Sequence, residues 1–564
     1  MATPDGFHHP ASEGELVELV RAANREGRHL RVRGAAHSVS HAIYSEPAGE
    51  NRVNQQSPPG GDGIDVMLDR YRGWQVRDEG RKLVEAQAGI HIGADPTSSS
   101  PLEESLLAQL AQEKRWTLDL TGGITHQTIS GFTGTGSAGG SSQFSSNRNL
   151  FGFRLIDGRG DVHELTREDD EFFSMAPNLG LLGVVSAITF ECADLFAIEG
   201  NEVVTSIGDC PADLFGDGAG GRPSLERLLR DTEFVRLEWW PQRGAERILT
   251  WRASRIPASP GFQPRPFKRF GSSPEAAQQV IAIVFTILGN LDDLSKAAPK
   301  LEDNFDQLER VLKALPLALE LGVAGALLAE FLRRAIQSGV REAIAALEPL
   351  APILRDTAPD FVPKLIDAFI PTGEPQTFSD FGWSGLPMDN GVDDALLPTA
   401  FTEPWIPLTR TREVMELLER YFSVPREHAY RRTGTYAWEL YSATPNAFWL
   451  SPAHSSGDDE WRDGVFRVDP YWFADNAGNP AELFYPGLWA LLRDNGIPFR
   501  LHWGKFQPIV RPGDREWVDF FRSQYPRWDD FLALRAERDP NNIFLTDYWR
   551  DRFGLWDEPS PQPR

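Results

Sequence analysis

Apolar residues over residues 11–28 recur at helical spacing, with Leu16, Val17, Leu19 and Val20 gathered toward one face. Ser12 followed by Glu15 is a capping-box pattern that starts such a helix. The period then changes. HLRVR at 29–33 alternates as a strand and runs into Gly34, Ala35, Ala36, His37 and Ser38, while residues 45–63, rich in Pro, Gly, Asn and Ser, read as a loop. Residues 64–69 and 82–88 predict strands, and 102–114 a helix. Residues 151–156 and 161–165 flank the turn sequence DGRG as a hairpin. The apolar run 181–191 predicts a buried strand that closes an α+β unit near residue 195.

Strand patterns continue at 233–240 and 246–252, and then helical patterns take over at 274–290, 300–315, 316–338 and 341–353. Pro316 suits a first helical position, where its missing N–H costs nothing. The most apolar of these segments is interrupted by Glu320 and Glu330 and falls short of a membrane span. It reads as a packed helical insertion or as an apolar lid over a substrate entrance. Residues 371–400, with repeated Pro, Gly and Asp, predict a long surface connection. An α+β pattern resumes with 401–408 and a helix at 410–421, followed by strands at 436–442, 447–450, 465–469 and 498–503.

The densest chemistry lies at 121–140, TGGITHQTISGFTGTGSAGG, where seven of twenty residues are Gly. Such a backbone approaches a ligand closely, and its amides and hydroxyls suit a large phosphate-bearing cofactor. Residues 134–139 spell GxGxxG, the fingerprint of a dinucleotide-binding turn. Its context argues against that fold, because small polar residues persist on both sides and no amphipathic helix follows. A glycine-rich wrap of another kind around such a cofactor fits better.

The 564 residues allow two or three domains with ample core, and 41% hydrophobic and 24% charged residues are ordinary for a globular chain. A formal charge of −24 disfavours nucleic acid or anionic membrane as the main partner. Two cysteines, Cys192 and Cys210, form no disulfide framework and have no metal-ligand company. The first twenty residues show no basic-then-apolar signal, so a cytoplasmic location is expected.

Three pieces together resemble the FAD-linked oxidases of the vanillyl-alcohol oxidase and p-cresol methylhydroxylase fold, and within it the sugar-1,4-lactone and alditol oxidase group. They are RGAAHS at 33–38; the 121–140 stretch with LGLLGVVSAITFE at 179–191; and HWGK at 502–505 with DPNNIFLTDYW at 539–549. The resemblance implies an α+β chain with a PCMH-type FAD-binding domain of two α+β subdomains over residues 1–195. An α+β substrate domain over 196–535 would carry a helical insertion at about 265–370, and 536–564 would return to the FAD domain. FAD would be held by Arg33, Gly34, Ala35, Ala36, His37 and Ser38, and by Gly183, Val184, Val185 and Lys505. In the central stretch the implied contacts are Thr121, Gly122, Gly123, Thr125, His126, Ile129, Ser130, Gly131, Thr133, Gly134, Thr135 and Gly136. His37 matches the position that carries a covalent flavin link in many members; otherwise it is a turn histidine bonded to pyrophosphate or backbone.

For the chemistry, Glu439 matches a substrate-binding Glu, and Lys505 a cation at the boundary of flavin and substrate, with His502 beside it in HWGK. The chain also departs from the family. Tyr441 stands where the motif Glu-x-Arg has Arg, Asp469 replaces a downstream His, and Thr546 a late Asn. Tyr441 and Asp469 are therefore expected to handle protons, and loss of the Arg weakens the case for a small polyol. The expected activity is hydride transfer from an alcohol carbon of a sugar-like or larger substrate to FAD, with O2 reduced to H2O2. The alternatives are a sterol-type oxidase, a dehydrogenase using another acceptor, and an inactive flavin-binding protein.

Overall fold

A computed structural model describes residues 3–58, 60–95, 98, 100–267, 274–303, 322–388, 399–423, 437–474 and 476–564. The amphipathic opening forms α1 (Glu13–Glu26). Ser12 Oγ accepts the Glu15 N–H at 3.3 Å, and the Glu15 carboxylate reaches back to the Ala11 N–H at 2.8 Å. β1 (Leu30–Arg33), α2 (Ser40–Ile43) and β2 (Ile64–Met67) follow, with β1 and β2 paired in parallel. Next come β3 (Trp74–Asp78), β4 (Leu83–Gln87), α3 (Leu106–Glu113), β5 (Trp116–Thr117) and α4 (Ile129–Thr135). β6 (Leu150–Ile156), β7 (Val162–Thr166), β8 (Val184–Glu191) and β9 (Ala193–Asp194) complete this part. Five strands make an antiparallel sheet in the order β3-β4-β8-β6-β7, and β6 and β7 form the predicted hairpin across DGRG.

A sheet of nine antiparallel strands takes up the remainder. It contains β10 (Phe196–Ser206), β11 (Phe234–Trp240), β12 (Arg247–Pro257), β13 (Gln376–Phe381) and β14 (Thr399–Phe401). Its other members are β15 (Pro404–Pro407), β16 (Trp438–Ala443), β17 (Val465–Phe473) and β18 (Arg500–Leu501). Residues directly opposite across an antiparallel pair share a face. Register therefore lines up Glu238, Glu439 and Asp469 in one row, and Arg236, Tyr441, Arg467 and Trp405 in the next, all on one side. The other side carries Leu237, Leu440 and Val468, fully buried in the main apolar core.

The helical insertion runs through Pro274–Gly289, Ala297–Asp303, Gly322–Ser338, Val340–Leu347 and Ala351–Phe369. It packs in a second apolar cluster with Trp251 and Phe378. Trp251 is opposite Arg236, so the insertion covers the same face that carries the charged rows. Among the described residues no helix is long and apolar enough to cross a membrane.

Several predicted elements differ. The helix expected to stop at 353 gives way to Ala351–Phe369, which continues through Pro359 and Pro363. Burial of Leu354, Ala358, Val362 and Leu365 outweighs the lost N–H bonds that make proline a helix breaker. The expected surface connection at 371–400 contains β13, which bonds along β10 as an edge of the large sheet. Residues 447–450 are a turn rather than a strand, with the Phe448 N–H donating to Asn446 Oδ1 at 3.1 Å. The parts of the predicted helices that fall at 304–321, Pro316 included, lie outside the described residues. Helices Tyr485–Asp494, Glu516–Gln524, Trp528–Arg538 and Asp547–Phe553 were not expected.

Candidate active site

The glycine-rich stretch folds around α4. Thr128 caps it by accepting the Gly131 N–H at 3.2 Å, and Gly136, at φ 78°, ends it in the left-handed region. GxGxxG thus begins inside a helix and continues past its end, the reverse of a dinucleotide turn that opens one. Gly34 packs on the cap: a β-carbon there would lie 2.6 Å from Thr128 Oγ1. The RGAAHS turn and α4 can meet only without that side chain.

Between them opens a cleft with about 940 Å³ of empty space, its mouth included. Its walls are residues 34–38, Ser130, Gly131, Gly134 and Thr135 of α4, Leu179, Gly180, and Trp503, Phe544 and Trp549. Of the expected cofactor contacts, Gly183, Val184 and Val185 also line it. The expected residues that do not line it have other surroundings. Arg33 donates to the Gly34 carbonyl at 3.0 Å. Ile129 is core, and Thr133 Oγ1 bonds its carbonyl within α4. Thr121, Gly122, Gly123 and Thr125 lie in the segment leading to α4, where the Thr125 carbonyl accepts the Gly93 N–H at 2.7 Å. The His126 ring stands edge-on to that of His37, 4.6 Å between centroids. Arg31 was not expected: its buried guanidinium donates to the carbonyls of Ala42 (2.7 Å), Leu179 (2.8 Å) and Gly180 (3.1 Å). Burial lowers its pKa to about 10, opposed by the charge of Asp65. Loop amides and the Ser38, Ser130 and Thr135 hydroxyls facing Val184, Val185, Phe544 and two Trp rings form a donor set that fits FAD, polar for a diphosphate and apolar for flat rings.

The HWGK loop closes against this cleft. The Val39 N–H donates to the Gly504 carbonyl at 2.9 Å, and Lys505 Nζ donates to the His37 carbonyl at 3.3 Å. His502 Nδ1 accepts the Gly504 N–H at 3.1 Å, which puts the ring proton on Nε2, facing Ser137 Oγ at 3.0 Å. Burial lowers the His502 pKa to about 4; Glu403 acts against this, and Lys505 and Arg467 add to it.

The charged face of the large sheet lies beside that loop. Tyr441 donates to Asp469 Oδ2 at 2.6 Å and receives a hydrogen bond from Arg467, whose guanidinium carbon lies 3.7 Å from the Tyr441 ring centroid. Arg467 also donates to Glu403 and, at 2.9 Å, to the Ala138 carbonyl at the tail of the glycine-rich stretch. Glu439 is 3.1 Å from Arg236 and accepts from Tyr471 at 2.5 Å. The Glu403 carbonyl accepts the His502 N–H at 3.1 Å. Glu439, Tyr441 and Asp469 thus share one surface, and Glu403 and Arg467 link it to His502 and Lys505. Sequence reasoning passed over Glu403, Arg467 and Arg236. The signal for Arg467 was present in VFRVD, where two charged residues alternate with apolar ones on a buried strand. Among the described residues no group of three His, Cys, Asp or Glu is placed to hold a metal ion.

Comparison with known proteins bears on this site. The profile of the FAD binding domain family matches residues 4–166. The chain is 21% identical over 563 residues to an L-gulono-1,4-lactone dehydrogenase of Mycobacterium tuberculosis, covering 98% of this chain and 97% of that protein. It is 24% identical over 257 residues to a D-arabinono-1,4-lactone oxidase of Saccharomyces cerevisiae, covering 45% of this chain and 42% of that one. A solved mutant of cholesterol oxidase from Brevibacterium sterolicum has the same fold, with TM-score 0.60 at 14% identity over 97% of this chain and 93% of that one.

Proposed function

We propose that the chain, whose residues 4–166 match the FAD binding domain family, is an FAD-dependent oxidoreductase that oxidises an alcohol carbon of a sugar-like or lactone substrate with O2 as acceptor. The observation that carries this is the junction of cleft and sheet: Lys505 reaches the His37 carbonyl from a loop whose neighbour, Glu403, is bonded into the charged face. Residues 1–195 hold the cofactor, 196–535 shape the substrate side with the insertion at about 265–370, and 536–564 return to the first sheets. FAD supplies the acceptor for a hydride, and O2 takes the electrons onward to give H2O2.

The residues divide the work. His37, at a tight turn that lines the cleft, is the site of covalent attachment. Lys505 supplies positive charge where negative charge develops. Glu439 accepts hydrogen bonds from the substrate, while Tyr441 and Asp469 form the proton-handling pair. His502, neutral, holds the loop through Ser137 and Gly504. Two buried free cysteines accord with a cytoplasmic location.

A second reading has its own support: the apolar insertion packs on the same sheet face as the charged rows, which suits a larger apolar alcohol of the sterol type. A panel of lactones, alditols and sterols, with peroxide release measured in air and flavin reduction under anaerobic conditions, separates the two readings and separates oxidase from dehydrogenase. Lys505→Met should keep FAD bound and slow flavin reduction about 100-fold or more. An unchanged reduction rate discards the proposed role of Lys505.

A further inference from the structure

Among the described residues the charged face holds more acid than base: Glu403, Glu439, Asp469 and Glu238 share it with Arg236 and Arg467. Arg467 binds Glu403, and Arg236 binds Glu238 and Glu439. Asp469, wholly buried, has no arginine of its own among the described residues. One oxygen takes the Tyr441 hydroxyl, and Oδ1 has no hydrogen-bond partner among the described residues. Among the described residues, the groups facing it are Glu439 and Tyr441 from β16, Glu403 just before β15, Arg467 on its own strand, and Tyr485 from the helix Tyr485–Asp494. Ionising Asp469 would put a third carboxylate around a guanidinium already committed to Glu403, in a place buried from solvent, and such a group takes a proton instead.

We propose that ionised Glu403 keeps Asp469 as a neutral carboxylic acid, so that Glu403 is a positioning residue that sets the proton content of the Tyr441–Asp469 pair. Burial, reinforced by Glu403 and Glu439 and opposed by Arg467, holds Asp469 well above the usual carboxylate range. Burial would raise Glu403 as well, but the charge of Arg467, with that of Lys505 behind it, holds it below that range. The bonding is directional. Arg467 can only donate, so the Tyr441 oxygen accepts from it and turns its own proton toward Asp469. Given the oxidase reading, the pair enters turnover already protonated: it can donate a hydrogen bond or a proton, and Asp469 is not the base that takes the substrate's hydroxyl proton.

Infrared spectra of the holoenzyme grown with 13C-labelled aspartate test this at pH 7. The wild type should show an acid carbonyl band that moves with the label and vanishes in Asp469→Asn. Glu403→Gln retains the hydrogen bond to Arg467 but removes the negative charge, and should weaken that band about tenfold or more. Glu403→Asp should retain it, as should Glu199→Gln on the exposed side of β10. A wild type with no band sensitive to Asp469→Asn overturns the proposal, and so does a band unchanged in Glu403→Gln. The pH profile of flavin reduction should shift in Glu403→Gln and return in Glu403→Asp. If the bands behave as expected while no alcohol reduces the flavin, the proton assignment stands and the oxidase reading fails.

Discussion

Two fully buried groups near the cofactor cleft titrate in opposite senses, which makes the acid stability of the protein a test of the structure. His502 is ordinarily near 6.5 and is held at about 4 by burial. Unfolded chains therefore bind more protons than folded ones between those values, and stability falls as the pH drops through that window. Asp539 is ordinarily near 3.8 and is raised to about 6 by burial, although the Ile543 and Phe544 N–H groups bond its oxygens at 2.9 Å and act to lower it. Here the folded state binds more protons, so stability rises as the pH falls from about 6 toward 3.8. Each gap corresponds to about 3 kcal/mol, so the two largely cancel in the wild type between pH 4 and 6. Asp539→Asn removes one arm. It should leave the protein more acid-labile than the wild type by about 3 kcal/mol across that range, on top of a uniform loss of about 1–3 kcal/mol from the disturbed amide bonds. His502→Asn should do the opposite and gain stability relative to the wild type on acidification. The assay is the midpoint of thermal unfolding at pH steps from 4 to 7 for the three proteins. Parallel curves for the wild type and Asp539→Asn would refute the reasoning, because burial would then not be what shifts these groups.

Other consequences follow from single contacts. Gly183→Ala places a β-carbon 2.3 Å from the Ile156 carbonyl at φ 144°, so the backbone lining the cleft must move; it should cost about 2 kcal/mol or more and weaken FAD retention, read as flavin content after gel filtration. His37→Ala should release all yellow colour on denaturation, whereas denatured wild-type chain should retain it, and a wild type that also releases its colour excludes the covalent link.

The parts of the fold that were legible in the sequence are those set by neighbours along the chain. α1 follows from its apolar spacing and the pair Ser12 and Glu15, and the β6–β7 hairpin from DGRG between two alternating runs. α4 was not legible, because Gly131 and Gly134 give it poor intrinsic propensity. It forms because Thr128 caps it and because Ile129 and Phe132 are buried. The charged face was harder still. That Glu238, Glu439 and Asp469 lie in one row is a fact of register between strands far apart in sequence, and alternation on any one strand does not contain it. FTEPWIPL accordingly read only as the point where an α+β pattern resumes, with no hint that its Glu403 would be the partner of Arg467.

The segment containing Glu403 also explains how two structurally separate sheets come to share one site. Phe401 and Glu403 use their carbonyls to take the N–H groups of Phe506 and His502, and Thr402 Oγ1 donates to the Phe506 carbonyl at 2.7 Å. This short stretch therefore grips the HWGK loop along its length, and the loop in turn holds Val39 and His37 through Gly504 and Lys505. The Glu403 side chain points the other way, to Arg467, which binds Tyr441 and the Ala138 carbonyl. These links are backbone bonds and buried side-chain hydrogen bonds or ion pairs, and among the described residues none passes through the helical insertion. The alignment of cofactor cleft and charged face is thus a property of the sheets and the HWGK loop, while the insertion, packed on apolar residues of the same sheet such as Trp251, Phe378 and Phe473, is left to shape what approaches it.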